Sequence, residues 1–318
     1  MMVTMPKCKM IGLVTPKVLD VEGNVIYRGP TERNLFLDSA ALRIAHGAQL
    51  GSIQPLIKVG TDDTPVQRTD KYINQPLMKA GVNDWTAFCQ RKNTSNKHVI
   101  GNFPGEAGKP DIIRASIALE QTFDFGVLDG TVREVGFDLG ISKKDAEVNA
   151  KLVLENPIVM NADNQLVIEY ALTIEVMLPD AYQVPIDNQG TISQVTITPV
   201  WEPFRYPSGD WSFSWKTIIE TLGTKYITVA NAIPPEGSRL SGVINSFPFG
   251  EATVDPVGPV RRYSATFKPS EANFADGLIA AFRIGPGPVR YHVDPPIPKD
   301  ETLSLTISWS YDFSTMNS

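Results

Sequence analysis

The strongest constraint on this chain is a series of strand patterns that it runs through twice. The first passage spans Arg114 to Met177 and the second Arg262 to Phe313. Each opens on a polar-apolar alternation (RASIALEQTFDF; RYSATFKPSEANF) and reaches an Asp-Gly turn, Asp129-Gly130 or Asp276-Gly277. A strand follows (EVGFDLG; AAFRIG), then a Pro-Ile pair, Pro157-Ile158 or Pro296-Ile297, with a polar tip behind it. A long alternating strand closes each passage (LVIEYALTIEVM; LSLTISWSYDF). Alternation of period two is the signature of half-buried strands, so the chain is expected to hold an internally duplicated antiparallel module. Duplicated β-modules with no chemistry in their loops build surfaces rather than active sites.

Composition narrows the class. The 318 residues suffice for one or two cores. A hydrophobic share of 42% and a charged share of 20% describe a globular chain. Plentiful Gly (24) and Pro (25) favour many turns and few long helices. The net charge of −6 gives no basic footprint for nucleic acid. Two cysteines, Cys8 and Cys89, and three histidines, His46, His98 and His292, are scattered, so no metal cluster is expected. No stretch reaches the roughly 18–20 apolar residues of a membrane helix, and the start has no signal-peptide core. The expectation is a chain folded in a cytoplasm, without export, membrane insertion or cofactor.

The fold expected is mainly β: two antiparallel sandwich-like domains with one short helix near the N-terminus. Residues 9–30 read as a hairpin around Glu22-Gly23-Asn24. Residues 31–46 read as the helix, capped by Thr31 or Asp38 and stopped at Gly47. Leu56–Gly60 reads as a buried strand, and Thr61–Pro65 as a polar loop. Residues 66–109 are polar and aperiodic, which predicts disorder that resolves on binding, with a basic loop at 90–98. The domains are drawn at 1–185, carrying the helix and first module, and 186–318, carrying the second.

Motifs for catalysis are missing. There is no Gly-x-Ser-x-Gly elbow, no dinucleotide fingerprint and no phosphate loop. Asp62-Asp63 reads as a turn, because the calcium-loop spacing is absent. No catalytic or metal-binding residue is therefore nominated. The aromatic segment Trp201, Phe204, Tyr206, Trp211, Phe213 and Trp215 reads as core, interface or glycan platform. Arg91 and Lys92 of the basic loop are the accompanying polar candidates for an interface or a glycan site.

Four segments carry a resemblance. Asn34-Leu35-Phe36-Leu37-Asp38-Ser39 before an Ala/Leu-rich helix resembles the opening of tailed-phage tail appendage proteins. Val59-Gly60-Thr61-Asp62-Asp63-Thr64-Pro65 and Arg133-Glu134-Val135-Gly136-Phe137 resemble later elements of the same group, with Asp62 replacing the usual Gly. Pro295-Pro296-Ile297-Pro298-Lys299 with Leu303-Ser304-Leu305 resembles the closing strand of related virion proteins. The resemblance implies a virion structural protein of a tailed bacteriophage, in the tail, baseplate or fibre-attachment region. Its partners would be copies of itself and neighbouring tail proteins. Alternative readings are a receptor- or host-glycan-binding tail module and a capsid decoration or head-completion protein.

Overall fold

The computed structural model describes residues 1–45, 56–78, 84–87, 89–101, 112–138, 147–188, 191–201, 227–234, 240, 243–246, 253–254, 258–284 and 289–314. The chain opens with β1 (Met2–Thr4), β2 (Lys7–Leu19), β3 (Val25–Arg28), β4 (Glu32–Arg33) and β5 (Leu35–Phe36). Helix α1 (Asp38–Ala45) and β6 (Leu56–Gly60) follow, then β7 (Cys89–Gly101) and β8 (Ile112–Phe123). Next come β9 (Gly130–Asp138), β10 (Ala150–Met160), β11 (Gln165–Met177) and β12 (Tyr182–Asn188). The second half holds β13 (Thr191–Trp201), β14 (Ile227–Ala230), β15 (Val243–Ser246) and β16 (Thr253–Val254). It ends with β17 (Val260–Phe267), β18 (Leu278–Ile284), β19 (Val289–Pro298) and β20 (Leu305–Asp312).

The protein is mainly β, with several antiparallel sheets and one short helix, as the alternation predicts. In the first half, a sheet ordered β3-β2-β11-β8-β7, with β4 also on β2, faces a sheet ordered β5-β10-β9-β6. The Phe137 ring of one stacks on Tyr170 of the other at 4.1 Å. The buried Gln121 side chain crosses from β8 to β6, donating to the Ile57 carbonyl and accepting from the Ile57 N–H. In the second half, β1-β20-β17-β16 faces β12-β13-β19-β18-β14-β15.

The pairing order recurs. In each half, the first strand of the repeated passage pairs with the fourth, and the second with the third (β8 with β11 and β9 with β10; β17 with β20 and β18 with β19). The same irregularity recurs too. Pairing jumps from Val132↔Ile158 to Glu134↔Val153, and likewise from Ile279↔Ile297 to Ala281↔His292. This makes Ala150 to Ile174 equivalent, without a gap, to Val289 to Phe313. Even the tips match: Asn161 Oδ1 accepts from the Asp163 N–H, and Asp300 Oδ1 from the Thr302 N–H. Side-chain identity along this run is confined to Pro157/Pro296, Ile158/Ile297, Leu166/Leu305 and Ile168/Ile307.

Several expectations need correction. Residues 32–36 form β4 and β5 rather than helix, because Glu32 and Arg33 pair with β2, and Leu35 and Phe36 with β10. The 90–98 segment is part of β7, a strand at the end of its sheet, not a loop. Residues 66–78, mostly exposed, are anchored to the sheet beneath through Ile73 and backbone hydrogen bonds, and 79–83, 88 and 102–109 lie outside the described residues. The domain limit drawn at 185/186 falls inside β12, which pairs along its length with β13. Met2–Thr4 also crosses that limit, adding in parallel to β20 beside Ser308–Ser310. Val3 and Met5 are buried there, and Met5 Sδ accepts from the Tyr291 hydroxyl at 3.4 Å. Among the described residues no helix is long and apolar enough to cross a membrane.

Candidate functional site

Among the described residues, the densest grouping of buried charge lies on the outer face of the β5-β10-β9-β6 sheet. The inner face carries Val59, Val135, Phe137 and Leu152. Alternation therefore puts Lys58, Glu134, Gly136, Asp138 and Lys151 on the other side. That side is not exposed to water, because residues 61–78 lie across it as a strap. Ile73 of the strap packs with Leu37, Val148 and Val66 as a small second core. Backbone bonds fasten both ends: Thr61 N–H to the Gln75 carbonyl, Leu77 N–H to Val59, and Val148 N–H to Lys71.

Under the strap, Lys58 Nζ meets Asp138 Oδ2 at 3.0 Å and donates to the Glu147 carbonyl at 2.8 Å. Lys151 Nζ lies 2.8 Å from Glu134 Oε2 and 3.6 Å from Asp70 Oδ2. Lys58, Glu134 and Lys151 are fully buried. The other oxygen of Glu134 accepts the backbone N–H groups of Asn74 and Gln75, which ties the carboxylate to the strap. Charges removed from water this completely must be paired or bonded.

Of the motif residues, Gly60, Thr61, Asp62, Pro65 and Gly136 belong to this scaffold. A Cβ at Gly60 would lie 2.4 Å from Glu134 Oε1 and 2.8 Å from the Gln75 carbonyl. One at Gly136 would lie 2.6 Å from Val148 and 2.7 Å from Ile73. Both positions need glycine because the strap comes so close. Thr61 donates its hydroxyl to Gln75 Oε1, and Pro65 is an exposed strap residue. Asp62 accepts from Asn74 and Thr64, bonds that hold its carboxyl below the usual range. Asn34 is buried against the Tyr170 hydroxyl. Phe137 is core, Pro296 sits in the β19 bulge, and buried Lys299 donates to Asn273 Oδ1 and the Asp300 carbonyl.

The aromatic candidates divide. Trp201 is 7% exposed at the end of β13 and belongs to the core, which removes it from any open binding platform. Phe204, Tyr206, Trp211, Phe213 and Trp215 lie outside the described residues. Arg91 and Lys92 are exposed on β7, opposite Gln121 and Glu120 of β8. The structure therefore does not bring Trp201 together with Arg91 and Lys92 as one site. His46 also lies outside the described residues, and of His98 only its place on β7 is described. His292 Nε2 accepts from Arg290 Nε at 2.9 Å, and burial, with the guanidinium second, holds the imidazole down at about 4. Among the described residues no three His, Cys, Asp or Glu side chains converge as a metal site. Burial pushes the Cys8 thiol up to about 12 and Cys89 up to about 11, the opposite of a reactive thiolate.

Sequence reasoning did not anticipate Glu134, Lys151, Asp70 or Lys58 as a group. The available signal was lysine and glutamate at positions of otherwise apolar strands. No family model, curated protein or solved structure matches the chain.

Proposed function

We propose that this chain is a virion structural protein of a tailed bacteriophage, a tail, baseplate or fibre-attachment component that works through protein–protein interfaces. The observation that carries the reading is where the polar chemistry goes. Several of the residues that resemble phage appendage motifs fix a strap over the first of two like sandwiches, and the buried charges serve that scaffold. A part built this way acts by the surfaces it holds in place. Two related sandwiches offer two related surfaces to neighbours, and β7, with exposed Arg91 and Lys92, lies at a sheet end where a partner chain can add.

Light scattering of the purified chain over a concentration range tests this reading. A discrete oligomer such as a trimer or hexamer is expected, since closed symmetric assembly buries such surfaces. A monomer at every concentration counts against it.

A further inference from the structure

We infer that Lys151 and Asp70 are joined by an intramolecular isopeptide bond, formed autocatalytically with Glu134 as the proton carrier. Three groups converge in the order this reaction needs. Lys151 Nζ, the nucleophile, is fully buried on β10. Glu134 Oε2 lies 2.8 Å from it, also fully buried, in contact but not aligned as a hydrogen bond. The Asp70 carboxyl, the acceptor, has its Oδ2 at 3.6 Å, where that oxygen also accepts from the Gln67 N–H at 3.1 Å.

The step balances without any co-reactant. Glu134 carries a proton from the Lys151 ammonium to the Asp70 carboxylate, and the freed nitrogen lone pair attacks Cγ of the neutral acid. The C–N bond forms and one Asp70 C–O bond breaks. Its oxygen leaves as water with the two protons that the nitrogen loses, delivered in turn through Glu134, which ends as it began. An ammonium and a carboxylate become a neutral amide and one water. Burial of the lysine favours this direction, because a desolvated ammonium is held at a large solvation cost that an amide does not carry, while the Asp70 side chain keeps 24% exposure.

Placement fits the outcome. Asp70 belongs to the strap and Lys151 to the sheet beneath, so the bond rivets one to the other. Glu134 is pinned by the Asn74 and Gln75 N–H groups on its far oxygen, which leaves Oε2 aimed at the lysine. The neighbouring Lys58–Asp138 pair differs. Lys58 Nζ is held by hydrogen bonds to both Asp138 Oδ2 and the Glu147 carbonyl, so it is expected to stay an ion pair.

The test is the intact mass of the folded, purified full chain, measured in denaturant. The expected mass is lighter than the sequence by one water. Tryptic mapping should show the Lys151 peptide joined to the Asp70 peptide, with no cleavage after Lys151. Glu134→Gln and Lys151→Arg should each restore the full sequence mass. The inference is overturned if the folded wild-type chain has its full sequence mass, or if the lost water maps to Lys58 and Asp138. The wild-type measurement stands even if a variant fails to fold, and it is independent of the phage reading.

Discussion

Lys151 and Arg290 occupy the same position in the two sandwiches. Each is the second residue of its strand, β10 or β19, and each is buried on the outer face next to the shared bulge. Register makes Glu134 the counterpart of Ala281, and Val153 that of His292. The two halves thus keep a buried basic residue at this position but surround it differently: Lys151 meets Glu134, whereas Arg290 donates to His292. Glu134→Ala removes the proton carrier, so the Lys151–Asp70 bond does not form and Lys151 stays a buried ammonium beside only the more distant Asp70; the expected cost is about 3–5 kcal/mol, the penalty for orphaning a buried charge. Denaturant unfolding checks this. A loss within the roughly 0–1 kcal/mol of a surface pair would contradict it.

Burial of His292, with the Arg290 guanidinium second, makes stability depend on pH. The folded imidazole sits at about 4 against 6.5 when unperturbed. Between those values the unfolded chain binds a proton that the folded chain refuses. The contribution is therefore complete above pH 6.5 and is lost as pH falls towards 4. His292→Gln should flatten the wild-type decline across that window. Parallel pH profiles for the two proteins would show that His292 contributes nothing.

The strap demands close approach at Gly136. Gly136→Ala drives a methyl into Val148 and Ile73 and should destabilise by about 1–3 kcal/mol, the usual range for overpacking. Gly23→Ala serves as the comparison, since a Cβ there meets nothing and only its φ of 84° is strained. Differential scanning calorimetry should place Gly136→Ala below Gly23→Ala in Tm. The reverse order would mean that the strap yields.

The parallel strand β1 ties the start of the chain to the last strand. Val3 is 1% exposed between the two sheets of the second sandwich. Its truncation to Ala should cost on the order of 2 kcal/mol as a cavity change. Met2→Ala, at an exposed position of the same strand, should be nearly neutral. Thermal melts of both variants decide it. Equal effects would place β1 outside the core.

The fold class and much of the repeat were legible because period-two alternation survives divergence. Pro157-Ile158 and Pro296-Ile297 were matched correctly and prove to be in register. The opening arginines were not. Leu119 pairs with Tyr170 and Tyr263 with Trp309, which makes Phe123 the partner of Phe267 and leaves Arg114 and Arg262 unrelated. A charged residue at a strand start carries little positional information, whereas a core aromatic carries much. β7 was read as a loop because QRKNTSNKH lacks apolar alternation; its strand is set by pairing with β8 instead. Lys151 and Glu134 were missed since their contact depends on the strap folding back from residues far away in sequence. No local pattern encodes that.

The most direct test of the structural-protein reading is quantitative mass spectrometry of purified phage particles from cells in which this chain is made. The account predicts the chain in the particles at a fixed ratio to the other tail proteins, retained through density-gradient purification. A chain that stays in the soluble lysate, with none in the particles, would contradict it.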